Sequence, residues 1–220
     1  MAVITISNEL GSGGFDISQR VAQNLGYEFV DKNTSDRVFR QYGLTKFNQV
    51  YSTAPSILDL LNSDNLLIVS MSNEILEALA QRGNIVILGR AGFAVLGQYA
   101  DVLSVHIKAA LPDRVQRVMA REGLTDAAAI EEQVRDDDNL HRKFVQRFYN
   151  RQWDDPAGFG LMLNTSALAA DTVVKQIVDA ARALEQQPLS KDAVTTTTIK
   201  VDPVLADAVA EVLAYPSQAA

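Results

Sequence analysis

The chain has 220 residues, no cysteine and a formal net charge of −7. That length suits one domain, or one domain with a tail, and the missing cysteines exclude disulfides, zinc–thiolate centres and a cysteine nucleophile. The acidic balance argues against a nucleic-acid partner, which calls for a basic footprint, but it leaves room for a nucleotide site with local positive charge.

Val3–Ser7 is a β-branched run that predicts a first strand, and it leads into the turn Gly11-Ser12-Gly13-Gly14. Helical spacing follows, with Ile17, Val21, Ala22 and Leu25 on one face and Gly26 as the stop. Tyr27–Val30 predicts a second strand ending at Asp31, and this β-α-β opening points to a parallel sheet. Residues 33–83 read as largely helical, interrupted by a loop at Ser52–Ser56 around Pro55, with an amphipathic helix over Ser72–Gln81. Ile85–Leu88 is an unbroken apolar run, as in a strand covered on both faces, and Gly89-Arg90 follows it. Val102–Ile107 predicts another strand, Pro112 opens a helix that runs to Gly123, and Asp126–Phe148 reads as a long charged helical region. Gly160–Leu163 is the last apolar run and Ala169–Leu184 the closing helix.

About five strands alternating with helices predict an α/β, three-layer doubly wound fold over residues 1–186. Residues 187–220 fall outside that pattern: a linker, a β-prone stretch at Thr195–Val201 and a short amphipathic helix at Val204–Leu213. Two readings of this tail stand: it adds an edge strand or joins a second subunit in a homodimer, or it packs on its own domain. No apolar run approaches the ~18 residues of a membrane span, and MAVITISNEL lacks the basic region and cleavage site of a signal peptide. A cytoplasmic chain with no membrane partner is the expectation.

A phosphate-binding turn needs backbone N–H groups aimed inward, glycines that permit close approach, and the positive end of a following helix. Asn8 to Gly14 lies in that context, between a first strand and a first helix. Against the usual GxxxxGK[ST] pattern, Gly13 takes the second glycine, but Asn8, Gly14 and Phe15 stand at the first glycine, the lysine and the Ser/Thr positions. The turn therefore lacks the ammonium that bridges the β- and γ-phosphates and the hydroxyl that holds Mg²⁺.

Thr5-Ile6-Ser7-Asn8-Glu9-Leu10-Gly11-Ser12-Gly13-Gly14-Phe15-Asp16-Ile17 resembles the opening I-S-R-E-Y-G-S-G-G-R-E-I of the cytidylate kinase-like proteins, a P-loop family that also lacks the lysine. Leu25 to Lys32, Ile87-Leu88-Gly89-Arg90-Ala91-Gly92, Val105 to Ala109, Trp153 with Asp155-Pro156, and Leu161 to Ser166 resemble later segments of the same family. The resemblance spans residues 3–184. It implies a nucleoside-monophosphate kinase fold with a helical monophosphate-binding segment and a mobile lid. The implied reaction is ATP-dependent phosphorylation of CMP, dCMP or another small phosphate acceptor, with Mg²⁺.

It also implies roles. Gly11, Ser12, Gly13, Gly14, Phe15 and Asp16 would bind the ATP phosphates, with Asp16 holding Mg²⁺ through water or merely favouring the helix N-terminus. Arg90, at the end of a buried-type strand, would contact the acceptor phosphate; otherwise it is a structural arginine paired to an acid such as Asp31 or Asp101. Asp31 and Arg37 match the spacing of a D-x5-R segment that organises the acceptor side. The lid would be the stretch Arg135 to Lys143, with Asp138 on the family's lid aspartate and with Arg135 and Arg142 closing over phosphates. A solvated charged helix face is the other reading of that stretch. Arg114, Arg117 and Arg121 share one helix face, to meet ligand or acids. His106 reads as a hydrogen-bonded core histidine and Trp153 as packing. Four positions depart from the family: Asn8, Phe15, His141 at a lid arginine and Phe144 at a tyrosine. They support the alternative of a catalytically impaired nucleotide-binding member that acts through a protein partner.

Overall fold

A computed structural model of the chain describes residues 1–41 and 63–214. The expected loop at Ser52–Ser56 lies outside them. Among the described residues five strands form one parallel sheet: β1 (Val3–Asn8), β2 (Glu28–Val30), β3 (Ile85–Leu88), β4 (Val102–Lys108) and β5 (Leu161–Asn164), in the order β2-β3-β1-β4-β5. All four neighbouring pairs are parallel, with Val3 opposite both Ile85 and Val102. The chain leaves β1 towards one edge, returns through β3, then crosses to β4. Winding therefore reverses at β1, and doubly wound sheets bind ligands at the strand ends beside such a reversal.

The two-residue period of the strands builds the two faces. Ile4, Ile6, Val86, Val105 and Ile107 are buried against α1 (Gly14–Leu25) and α7 (Ala170–Gln186), through Ile17, Val21, Ile177 and Val178. Val3, Ile85 and Ile87 face the other way, towards α2 (Lys32–Gln41) and α3 (Ser63–Gln81), where Val38, Phe39, Ile75, Leu76 and Leu79 fill the layer. The short α4 (Gly92–Leu96) follows β3. Above the strand ends, α5 (Leu111–Glu122) and α6 (Ala127–Tyr149) pack through Val115, Val118, Ile130 and Val134. The expected stops hold at α1 and α5, where Gly26 and Gly123 are left-handed at φ 69° and 66°. Asp126 caps α6 by accepting the N–H groups of Ala128 and Ala129. Among the described residues no helix is long and apolar enough to cross a membrane.

The described part of the tail packs on its own domain. In α8 (Pro203–Ala214), Leu205, Val209, Val212 and Leu213 enter the layer of α2 and α3. The expected strand at Thr195–Val201 does not form; Thr196–Thr198 is a 3-10 turn. The buried Asp101 carboxylate accepts both the N–H and the hydroxyl of Thr196, at 2.8 and 2.6 Å. A side chain has taken the donor that a sheet ladder would need.

Candidate active site at the strand ends

The glycine turn has the backbone geometry that an anion site requires. Gly11 and Gly13 are left-handed, at φ 82° and 83°. A Cβ on Gly11 would lie 2.6 Å from the Arg114 carbonyl oxygen, and one on Gly14 would lie 2.4 Å from Asn8 Cβ. No side chain caps α1, so its first N–H groups, at Gly14, Phe15 and Asp16, have no intrahelical acceptor and carry the positive end of the dipole. The turn is stitched to the loop after β5: the Thr165 hydroxyl donates to the Ser12 carbonyl at 2.8 Å, while Arg117 donates to that hydroxyl and to the Thr165 carbonyl, both at 2.8 Å.

A buried ion network ties the turn to α6. The Arg114 guanidinium makes a two-pronged pair with Asp138, at 2.8 and 2.6 Å, donates to the Leu10 carbonyl at 2.8 Å and lies 3.3 Å from Glu9. Burial pushes the Glu9 carboxyl above its ordinary value, against the Ala109 N–H and Arg114, which pull it down. Asp138 therefore sits on the buried side of α6 as Arg114's partner.

Beside the turn is a cavity of about 540 Å³ lined by Asn8, Phe15, Asp31, Arg90, His141 and Phe144, among others. Asp31, after β2, accepts the N–H and hydroxyl of Thr34 on one carboxylate oxygen, at 2.8 and 2.9 Å. After β3, Gly89, Arg90 and Ala91 are three successive left-handed residues, at φ 79°, 55° and 55°. Such strain in a non-glycine residue costs roughly 1–3 kcal/mol and gathers at functional sites. Arg90 is 3% exposed, pairs with Asp36, and stacks over the Phe39 ring at 5.5 Å. Its acid is Asp36; Asp31 caps α2 and Asp101 holds the tail.

Not every expected residue meets this cavity. Arg37 donates to the Val212 carbonyl of α8 at 3.2 Å and lines a separate cleft with Arg40 and Glu211. Arg135 is exposed and pairs with Glu131 at 2.7 Å. Arg142 pairs with Asp154 at 3.3 Å, lies over the Trp153 ring at 5.9 Å, and borders an open groove of about 860 Å³. That groove is larger but contains none of the glycine turn and none of the strand ends. Asp16 is exposed and 3.5 Å from Arg20. Among the described residues no cluster of three metal-ligating side chains occurs, but Mg²⁺ on nucleotide phosphates needs only one or two carboxylates, and Asp16, in the first turn of α1, fits as a ligand through water.

Lys32 and Asn33, to which the sequence assigned no role, also line the cavity, as do Asp137 and Leu140 from within the stretch expected as a lid. Lys32 and Asn33 directly follow Asp31, so their place on the first turn of α2 was the available signal. Asp137 and Leu140 lie three residues apart, on one helix face.

His106 departs from expectation. It is fully buried, but neither ring nitrogen has a hydrogen-bond partner among the described residues. Its ring packs edge-on against Trp153, at 5.4 Å, and against Phe159, at 5.0 Å. Burial lowers its pKa to about 4, with Asp154 opposing. The unfolded chain therefore takes up this proton first as pH falls. The resulting stability is fully present above pH 6.5 and is lost between 6.5 and about 4. The loss expected is about 3 kcal/mol. Denaturant unfolding of wild type and His106→Phe across that range checks it: the variant is expected to lack this part of the slope, and equal slopes contradict it.

Residues 3–167 match the cytidylate kinase-like family. The chain is 30% identical over 182 residues to a cytidylate kinase of Ignicoccus hospitalis, covering 80% of this chain and 97% of that one. It is 26% identical over 189 residues to a cytidylate kinase of Halobacterium salinarum, covering 84% and 92%. Among solved structures, an uncharacterized protein from Eubacterium ventriosum superposes with a TM-score of 0.63 at 18% identity, over 85% of this chain and all of that one. A shikimate kinase from Acinetobacter baumannii, in complex with shikimate, gives 0.50 at 16% identity, over 85% and 96%. The structural likenesses carry the P-loop kinase fold; the family match supports a kinase of nucleotides or small molecules.

Proposed function

This chain belongs to the cytidylate kinase-like family, and from that premise we propose that it transfers the γ-phosphoryl group of ATP, with Mg²⁺, to CMP, dCMP or another small acceptor. The observation that carries this reading is the uncapped N-terminus of α1 behind two left-handed glycines, opening beside the cavity that contains Asp31 and Arg90. Phosphoryl transfer asks mainly for positioning and for charge on the moving group. The N–H groups at Gly14, Phe15 and Asp16 hold the donor phosphates, Asp16 takes Mg²⁺ through water, and Arg117 secures the turn. Arg142, near the Trp153 ring on α6, is the lid cation. ATP with its metal supplies the activated phosphoanhydride; the chain supplies the cradle and excludes water beneath α6.

The impaired alternative rests on Phe15, 52% exposed where the family has a basic residue, and on His141 in place of a lid arginine. ADP release, followed with purified protein, Mg·ATP and a panel of small acceptors, separates the two. Acceptor-dependent ADP release supports the kinase. Tight Mg·ATP binding with no release above the acceptor-free rate supports the impaired member.

A further inference from the structure

We infer that Thr165 is a positioning residue for the phosphate turn: its hydroxyl fixes the peptide between Ser12 and Gly13 in the orientation that presents the Gly13 N–H to a triphosphate. This rests on the kinase reading above and adds to it a residue that acts through the turn rather than on the nucleotide.

A trans peptide is rigid, and its C=O and N–H point in opposite directions. Whatever grips the Ser12 carbonyl therefore also aims the Gly13 N–H. The Thr165 hydroxyl donates to that carbonyl at 2.8 Å, from the loop after β5. The N–H on the far side of the same plane joins those of Gly14, Phe15 and Asp16 at the start of α1. The peptides on either side are fixed by other bonds. The Ser12 N–H donates to the Glu9 carbonyl at 3.0 Å, and the Gly13 carbonyl accepts the Ile17 N–H at 3.2 Å.

Packing does not supply the constraint that Thr165 supplies. Gly13 is left-handed at φ 83°, and a Cβ on it would meet only Ile17 Cδ1, at 3.8 Å; a Cβ on Gly11 would run into the Arg114 backbone. A glycine with that much room lets the peptide before it turn over at little steric cost. The turned form puts a carbonyl oxygen, in place of an N–H, against the phosphate charge.

Thr165 is itself held from two elements. Its N–H donates to the Lys108 carbonyl at the end of β4, at 2.9 Å. Arg117, exposed on α5, donates to its hydroxyl and to its carbonyl, both at 2.8 Å. Accepting from a guanidinium polarises the hydroxyl and strengthens the bond it gives to Ser12. Its neighbours complete the brace: Asn164 Oδ1 accepts the Ser166 N–H at 2.9 Å, and the Ser166 hydroxyl accepts the Ala110 N–H, just before α5, at 2.8 Å. The run Asn164-Thr165-Ser166 thus ties the end of β5 to α5 and to the glycine turn.

Calorimetric titration with Mg·ATP of wild type, Thr165→Val, Thr165→Ser and Arg117→Met tests this, with thermal unfolding of each protein to show that it is folded. Thr165→Val keeps the shape and removes the hydroxyl. It is expected to weaken Mg·ATP binding by roughly 10- to 100-fold, the range for losing a hydrogen bond to a charged group. Thr165→Ser restores the hydroxyl and is expected to bind within a few-fold of wild type. Arg117→Met keeps the bond to Ser12 without its polarising partner and is expected to fall between the two. The Gly13 amide proton gives a readout that a merely structural role would leave alone. On Mg·ATP binding its resonance is expected to shift downfield in wild type and Thr165→Ser, and not in Thr165→Val. Equal affinity of wild type and Thr165→Val, or a Thr165→Ser as weak as Thr165→Val, overturns the inference and leaves the kinase reading standing. Should Thr165→Val not fold, wild-type affinity in Arg117→Met overturns it. Failure of Mg·ATP to bind folded wild type overturns the kinase reading and this inference with it.

Discussion

Arg114→Met is expected to destabilise the fold by about 3–5 kcal/mol, the range for removing one partner of a buried ion pair. Arg114 is 3% and Asp138 6% exposed, so neither can exchange its partner for water. The substitution leaves two carboxylates, Glu9 and Asp138, without their guanidinium and removes the donor from the Leu10 carbonyl. Asp138→Asn costs less, because Glu9 stays with Arg114 and the amide keeps an acceptor in place. The double change Arg114→Met with Asp138→Leu is expected to recover part of the loss, since an apolar pair no longer strands a charge. Urea unfolding of the three variants checks the order; a loss below about 1 kcal/mol for Arg114→Met, the level of an exposed pair, contradicts it. The functional effect follows from position. Residue 114 on α5 links the turn at Glu9 and Leu10 to residue 138 on α6, so the variant is also expected to lose the register between the glycine turn and α6.

Gly11→Ala carries a comparable effect by another route. Its φ of 82° is left-handed, and the added Cβ would meet the Arg114 carbonyl oxygen at 2.6 Å and Arg114 Cα at 2.9 Å. Neither is a flexible side-chain end, so turn or α5 must move. Backbone strain and overpacking together are expected to cost about 3 kcal/mol or more. Gly13→Ala is the control: its φ is 83°, but its Cβ would meet only Ile17 Cδ1, at 3.8 Å. It carries strain without the clash and is expected to cost about 1 kcal/mol. Thermal unfolding of both distinguishes them; equal losses would show that contact with Arg114 is not what confines residue 11 to glycine.

The strands and the stops of the helices were readable because they rest on local rules. Ile85–Leu88 is apolar on both faces, Gly26 and Gly123 end their helices, and the turn at Gly11–Gly14 lies between a strand and a helix. Arg90 could be placed at a strand end from the same pattern, and it lies in the cavity lining. Its partner could not be read. Asp36 is one acid among several on a polar helix, and only the packing of α2 against the end of β3 selects it over Asp31 and Asp101. The pair Arg114–Asp138 spans 24 residues and depends on how α5 and α6 cross. The family pattern assigned Asp138 a lid role without indicating that it would be buried. Thr195–Val201 was misread because threonine's β preference is real but weak, and one buried carboxylate, Asp101, outweighed it. Arg37 shows the same limit: its spacing from Asp31 matches the family, but α8, outside the family match, draws its guanidinium to Val212.

The central claim is that the turn at Gly11–Gly14 and the start of α1 hold the phosphates of a nucleoside triphosphate. Calorimetric titration of wild-type protein and of Gly11→Ala with Mg·ATP, at a temperature where both are folded, tests it most directly. Saturable one-to-one binding to wild type, weakened at least tenfold in Gly11→Ala, is the result predicted. No heat of binding to folded wild-type protein at millimolar Mg·ATP, or equal affinity for both proteins, would contradict it.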